Sequence, residues 1–358
     1  MNKQKNNLQR CAVSTLLWPL TMPYAIAARL KNFAYDHRWL HPQTLSWPVI
    51  SIGNFSVGGS GKTPMVLLLA ELLSQRGWRV DVLSRGYGRS NNNVTRVNGM
   101  GTPKQFGDEP LLMIRHGLSV YVGARRYDAG KLAETEVSAN SASSRGLHIL
   151  DDGFQHRKLA RDVDVGLLQR SDLQGQLLPS GRLREPINGL RRVDICVLRA
   201  EDADLSQYAL HLMGQDGQAS NPARVWIVER RTILPADETS ISNALAFCAI
   251  GDPTGFFDGL RHAGLTPQNT IAFRDHHVYN RDDIARLKAV ASRSGADCFV
   301  TTEKDNVRLT ADLRANLESD GRLLIAGLEL RLRDEKRCID GLESLLQERL
   351  QLHPRNVR

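Results

Sequence analysis

Val49-Ile50-Ser51-Ile52-Gly53-Asn54-Phe55-Ser56-Val57-Gly58-Gly59-Ser60-Gly61-Lys62-Thr63-Pro64-Met65 decides the fold. An apolar run reads as a buried strand, a glycine-rich turn follows it, and an apolar segment over 65–73 reads as a helix that Gly77 closes. Glycines let backbone N–H groups converge on an anion, and a helix N-terminus adds partial positive charge there. The turn is therefore a phosphate cradle built from Ser56, Val57, Gly58, Gly59, Ser60 and Gly61. Lys62 is placed to reach the β- and γ-phosphates and the Thr63 hydroxyl to hold Mg²⁺. Pro64 suits the first turn of a helix, where its missing N–H has no partner to lose. The strict pattern G-x-x-x-x-G-K-[ST] asks for glycine at position 56, and this chain has serine.

The chain has 358 residues, enough for about two domains around a substantial core. Its 47 Lys+Arg against 39 Asp+Glu leave a net charge of +8, which points to anionic partners. Aromatic content is 6%, and no Lys/Arg-rich segment is interleaved with aromatics, so nucleic acid is disfavoured against an acidic membrane face or a phosphorylated substrate. Cys11, Cys196, Cys248, Cys298 and Cys338 are scattered, odd in number and without a C-x-x-C pair. They read as small buried hydrophobes, not as disulfides or a zinc site.

Residues 1–38 form a segment of their own. Lys3, Lys5 and Arg10 precede a largely uncharged stretch over 11–28, and Ala25-Ile26-Ala27 mimics a signal-peptidase site. A nucleoside-triphosphate site downstream argues against export. Ser14, Thr15, Thr21, Pro19 and Pro23 make a poor membrane span. Trp18 and Tyr24, with Arg29, Lys31 and Arg38 beside them, suit a segment lying in the headgroup region. A true span and a plain core-packing helix are the competing readings.

Strands and helices alternate from 39 to 223, the mark of a parallel sheet covered by helices. Strands are expected at 80–83, 119–122, 147–150, 163–168 and 193–198, a helix over 124–136, and a Ser/Ala/Asn-rich loop over 138–145. The pattern weakens over 201–223, and 225–228 reads as a connecting strand. A second, smaller α/β block occupies 224–358: a strand from 244 into a Pro-started helix, then 271–273, a helix over 281–294, a strand at 298–301 and a closing helix. The fold class is α/β, a phosphate-cradle lobe and a smaller C-terminal lobe with a cleft between them.

Leu150-Asp151-Asp152 ends an apolar strand with two carboxylates, where Mg²⁺ is held when such a strand neighbours the cradle. Gly153 allows a sharp exit, and Gln155 and His156 point into the same region. Asp108 and Glu109 have two readings, a carboxylate that orients an acceptor hydroxyl or a helix N-cap with Pro110 in the first turn. Phe273-Arg274-Asp275-His276-His277 likewise offers a histidine to the cleft or caps a helix. Ser84-Arg85-Gly86-Tyr87-Gly88-Arg89 and Pro179-Ser180-Gly181-Arg182-Leu183-Arg184-Glu185-Pro186 are loops suited to anions. Thr301-Thr302-Glu303-Lys304-Asp305 is reminiscent of a base-reading N-K-x-D, but Lys304 and Asp305 are adjacent, so guanine selectivity does not follow.

In this order, G-N-F-S-V-G-G-S-G-K-T-P, S-R-G-Y-G-R, G-D-E-P, D-D-G-F-Q-H, G-R-L-R-E-P, F-x-D-H and T-T-E-K-D resemble the tetraacyldisaccharide 4'-kinase family of lipid A biosynthesis, over roughly residues 10–345. Ser56 is no departure from that family's G-G-x-G-K-T-P pattern. The resemblance implies ATP- and Mg²⁺-dependent phosphorylation of the 4'-hydroxyl of a tetraacyldisaccharide 1-phosphate, giving the 1,4'-bisphosphorylated lipid A precursor. It implies a peripheral enzyme on the cytoplasmic face of the inner membrane, with an anionic glycolipid substrate and no obligate protein partner. Carried over by position, it makes Asp108 the general base and His276 its partner, with His277 the competing choice. Lys62 and Thr63 take the phosphate and metal roles, and Asp151 and Asp152 the Mg²⁺ side. Arg85, Tyr87, Glu109, Gln155, His156, Arg184 and Glu185 are implied substrate or transition-state contacts. A partitioning-type switch ATPase would carry a second lysine where Val57 stands. A lipid-binding protein without chemistry would need neither Lys62 nor Asp151.

Overall fold

The computed structural model describes residues 2–59, 61–138, 145–214, 224–235 and 243–352. Ser60 and most of the expected 138–145 loop lie outside the described residues. The strands in chain order are β1 (Val49–Asn54), β2 (Arg79–Ser84), β3 (Thr95–Arg96), β4 (Ser119–Val122), β5 (Gly146–Asp151) and β6 (Val163–Leu167). They continue as β7 (Ile195–Arg199), β8 (Val225–Ile233), β9 (Ala244–Cys248), β10 (Asn269–Ala272), β11 (Cys298–Thr302) and β12 (Arg322–Leu332). Among the described residues these form one sheet, ordered β10-β9-β11-β12-β8-β7-β6-β1-β5-β2-β4-β3.

The apolar run that opens the cradle is β1, buried along its whole length, with β5 and β6 parallel on its two sides. Full burial on both faces explains why Val49, Ile50 and Ile52 fall on both faces of the strand and do not alternate strictly with polar residues. Register sets Ile52 beside Asp151 on one flank and Val165 on the other, so the Asp151-Asp152 carboxylates emerge next to the cradle. The helix Lys62–Gln75 buries Met65, Val66, Leu69, Ala70, Leu72 and Leu73 against the sheet. The expected helix over 124–136 is Arg126–Ser138. The weak 201–223 stretch holds a 3₁₀ turn, Ala200–Leu205, and a helix, Ser206–Leu212; polar residues with few apolar anchors hide it from periodicity.

The boundary expected at 223/224 is crossed twice. β8 is no mere connector: it pairs parallel with β7 and extends the first lobe's sheet. β12 then pairs parallel with β11 through residue 326 and antiparallel with β8 from Gly327 onward, so one strand serves both lobes. The final helix, Glu335–Leu352, returns to the first lobe and packs Cys338, Ile339, Leu342, Leu345 and Leu346 into the core that holds Met65 and Leu69. Trp78 Nε1 donates to Glu343 at 2.8 Å and seals that return. Cys196, Cys248, Cys298 and Cys338 are buried.

The amino-terminal helix runs Asn2–Asp36 with Pro19 and Pro23 inside it. No helix among the described residues is long and apolar enough to cross a membrane. Met22, Ile26, Leu30 and Phe33 are exposed and, at spacings of four, four and three, share one stripe. Trp39 and Leu40 extend the apolar surface beyond the helix end, Trp39 being 72% exposed. Elsewhere on the helix, Tyr24 OH donates to the Arg184 carbonyl at 2.7 Å and Lys31 Nζ to the Gln155 carbonyl at 3.0 Å.

Candidate active site

A cavity of about 1320 Å³ runs between the lobes, from Tyr24 and Lys31 past the cradle to Arg199, Arg230 and Phe256. That exceeds the roughly 300–1,000 Å³ usual for a small-molecule site and leaves room for two substrates side by side.

Gly58 and Gly61 hold φ of +113° and +89°, a region closed to side chains without strain. Ser56 is not among the positive-φ residues; it makes an antiparallel bridge with Leu183, which is why this position tolerates a side chain. Arg182 Nε and Nη2 both donate to the Val57 carbonyl, at 3.1 and 2.7 Å, bracing the turn from the basic loop. Lys62 Nζ donates to Asn54 Oδ1 at 3.0 Å and lies 3.5 Å from Asp152 Oδ1. Thr63 is buried at the helix start. From the second lobe Gly251 closes on Gly59: a Cβ on Gly251 would stand 2.5 Å from the Gly59 nitrogen.

Asp151 Oδ2 accepts from Ser84 Oγ at 2.9 Å, while its Oδ1 is buried without a hydrogen-bond partner. Burial, then the charges of Glu109 and Asp152, push its carboxyl up from the usual range. Asp152 sits at φ +49° and takes both its oxygens to Arg184 Nη1 at 2.8 Å. Burial works against its charge, but Lys62 and Arg184 outweigh it and hold the carboxyl low. An orphaned carboxylate oxygen in a cavity that Thr63 also lines suits a hard cation, and Mg²⁺ needs only one or two carboxylates when phosphates complete its shell.

Asp108 opens the helix Asp108–Arg115 in the first lobe and is 6% exposed. His276, at φ +59° in the loop after β10, brings Nδ1 to 3.1 Å from Asp108 Oδ2. Arg308 Nε donates to the same oxygen at 2.8 Å and its Nη2 adds a second contact. Burial would raise the Asp108 carboxyl, but the His276 hydrogen bond and the charges of Lys304 and Arg308 hold it well below the carboxylate range. Of the two, it is His276 that lines the cavity. His277 turns away: its Nε2 meets Asp283 Oδ2 at 2.7 Å at the start of the helix Arg281–Ser294, which separates the two histidines. The acidic pair at 108–109 stands in the first turn of that helix, behind the N-cap Gly107 and ahead of Pro110.

Glu109 lines the cavity and accepts from Lys304 Nζ at 2.8 Å, and His116 Nε2 lies 3.0 Å from Glu303 Oε1. The T-T-E-K-D run is thus a latch between lobes. Thr302 caps the short helix Glu303–Arg308, and buried Asp305 accepts from the Ala249 nitrogen and the Tyr279 hydroxyl. Arg85 and Tyr87 line the cavity; Tyr87 is 66% exposed with its ring centroid 5.5 Å from that of His276. Gln155 Nε2 donates to the Asn54 carbonyl and to Glu185 Oε1, both at 2.9 Å. Glu185 is buried, paired with Arg192, and absent from the cavity lining, so it braces the loop that carries Arg184. Burial pushes His156 down to about 3, with Arg126, Arg161 and Lys31 adding to it, so it faces the cavity as a neutral ring.

Sequence reasoning passed over three side chains. Asn54 lies inside the quoted stretch and holds Lys62. Arg126, 6% exposed, lines the cavity with a buried Nε that has no hydrogen-bond partner; its place just past the end of β4 was the available signal. Arg308 meets a partner 200 positions away, and nothing local marks it.

A cradle for a nucleoside phosphate that faces a carboxylate–imidazole pair across one cavity, on a mainly parallel sheet, sets the molecule among the α/β kinases. Comparison with known proteins makes this specific. The tetraacyldisaccharide-1-P 4'-kinase family matches residues 13–347. A tetraacyldisaccharide 4'-kinase of Koribacter versatilis is 40% identical over 339 residues, covering 92% of this chain and 99% of the relative. One of Geobacter metallireducens is 37% identical, with 93% and 98% covered. Among solved structures, LpxK from Aquifex aeolicus in complex with ATP aligns with a TM-score of 0.71 and 29% identity, covering 93% of this chain and 99% of that one. The chain belongs to the tetraacyldisaccharide-1-P 4'-kinase family.

Proposed function

We propose that this protein transfers the γ-phosphate of ATP to the 4'-hydroxyl of a tetraacyldisaccharide 1-phosphate, giving the 1,4'-bisphosphorylated lipid A precursor. The observation that carries the reading is the single cavity that joins the Lys62 cradle to His276 and, through it, to Asp108. The 4'-oxygen attacks the γ-phosphorus, the bond to the β-phosphate oxygen breaks, and its electron pair leaves on ADP. The hydroxyl proton passes to the Asp108–His276 pair. Phosphoryl transfer asks the protein chiefly for positioning and charge. Lys62 and the cradle N–H groups hold the phosphates, and the cavity-facing guanidiniums of Arg126 and Arg184 stand beside the carboxylates. Thr63, Asp151 and Asp152 would hold Mg²⁺, which neutralises charge between the β- and γ-phosphates when bound. Arg85, Tyr87, Gln155 and His156 are the residues placed to meet the sugar.

The same reading puts the protein at the cytoplasmic face of the inner membrane, peripheral and held by the amino-terminal helix. Its apolar stripe lies on the helix whose Tyr24 and Lys31 bond the site loops, so the membrane surface would stand next to the cavity mouth. Two measurements test this. Purified protein with ATP and the lipid acceptor in mixed micelles should consume ATP one for one with the lipid and add one phosphate at the 4'-position. ATP consumption that ignores the lipid sinks the kinase reading. Replacing Met22, Ile26, Leu30 and Phe33 together by serine should release the protein from anionic vesicles and leave turnover in micelles nearly unchanged. Undiminished cosedimentation would refute the anchoring.

A further inference from the structure

Three groups crowd one oxygen of Asp108. Arg308 Nε stands 2.8 Å from Oδ2, Arg308 Nη2 closer still, and His276 Nδ1 at 3.1 Å. The other oxygen is tied locally, accepting from the Glu109 nitrogen at 3.0 Å. Arg308 is itself fixed: its Nη1 donates to the Ala249 carbonyl at 2.6 Å and lies 3.3 Å from Asp305 Oδ1. Asp305 in turn holds the Ala249 nitrogen at 3.0 Å. Both ion-pair side chains are nearly excluded from water, 5% and 7% exposed, where two charge-assisted N–H contacts on one carboxylate oxygen are stronger than at a surface. The guanidinium also lies 3.2 Å from His276 Nδ1, so it borders both members of the pair.

We propose that Arg308 is a positioning residue for the Asp108–His276 pair, fixing the carboxylate of one lobe so that it holds the imidazole of the other with Nδ1 inward. The inference rests on that pair being the proton acceptor. With Nδ1–H donated to Asp108, the remaining lone pair is on Nε2, which lies 3.9 Å from Asp275 Oδ1. The groups that face Asp108 are His276 from the loop after β10, Lys304 and Arg308 from the helix Glu303–Arg308, and Glu109 on its own helix. Arg308 is the only one of them that touches both Asp108 and His276. It comes from the second lobe while Asp108 comes from the first, so parting the lobes would strip the carboxylate of its fork. Acceptance of the proton is thereby tied to lobe closure.

The test is a pH series of kcat and KM on Arg308→Lys and Arg308→Ala in the full-length enzyme, with melting recorded alongside. Arg308→Lys keeps the charge and loses the fork. It should lower kcat about tenfold or more while KM for ATP stays within about twofold, because the ATP cradle is untouched. Arg308→Ala should move the acid limb of the kcat profile to higher pH, since a carboxylate relieved of its guanidinium binds a proton more readily. Added guanidinium ion should recover part of the Arg308→Ala loss. A folded Arg308→Lys with parental kcat overturns the proposal, as does a uniform fall in rate with an unmoved acid limb. If Arg308→Ala does not fold, Arg308→Lys decides alone. Asp108→Asn and His276→Ala, measured in parallel, separate the two ideas. If those two keep parental turnover, the pair itself is wrongly assigned; if they are inactive and the Arg308 variants are not, only the role of Arg308 fails.

Discussion

The cradle and the proton-accepting pair sit across one cavity and are built in opposite ways. Ser56 through Thr63 is a continuous run in sequence, and the shape of its described residues follows from two positive-φ glycines and the helix that begins at Lys62. The Asp108–His276–Arg308 cluster joins residues separated by 168 and 200 positions, and no two of them share an element. Local construction is robust and tells its chemistry in its spelling. Remote construction is conditional on lobe position, and its parts look ordinary where they stand in the chain.

The contrast breaks first, and hardest, at Lys62. Lys62→Ala should lower kcat by about 10³ while the melting temperature changes little, because the ammonium meets only Asn54 and Asp152 and no apolar core. A variant with near-parental turnover would remove the cradle from the mechanism. Next comes the remote pair. Asp108→Asn and His276→Ala should each cost about 10²–10³ in kcat, and the double variant little more than either, as members of one unit do. Losses that multiply would show two independent groups. His277→Ala should leave kcat within about threefold and lower stability slightly, through its lost bond to Asp283.

The smallest effect sharpens the latch. The hydrogen bond His116 donates to Glu303, offset by burial, raises the His116 imidazole above its ordinary value. A raised folded-state value means the pair stabilises fully below the unfolded pKa and loses that stability as pH climbs through the folded one. His116→Gln should therefore melt about a degree below the parent near pH 6 and level with it near pH 9. A gap that persists unchanged at pH 9 would show packing, not charge, at that contact.

Much of this was legible in the chain. β1, β2, β4, β5, β6 and β11 stand where the apolar runs place them, since buried parallel strands are rich in apolar and β-branched residues. The resemblance pointed to His276 over His277; local reasoning alone left them equal, because both follow Asp275 and only backbone geometry turns one toward Asp108. The lobe division escaped because sheet membership is decided by pairing. Nothing between 224 and 233 says that β8 continues the first sheet, and nothing in 322–332 says that one strand changes partners at Gly327. Arg126 and Arg308 escaped for a related reason: arginines are common at helix ends, and burial is what singles these two out.

The return of the helix Glu335–Leu352 has a consequence for synthesis of the chain. Each leucine it buries is worth about 1.5–3 kcal/mol, and Leu342 and Leu346 are wholly enclosed in the core that also holds Met65 and Leu69. A nascent chain halted after β11 would leave that surface of the cradle lobe bare to water and to other chains. The amino-terminal half therefore cannot bury that surface until residues 335–352 have been made. A fragment stalled before that helix would carry every cradle residue and still lack the side chains that close the core beneath them.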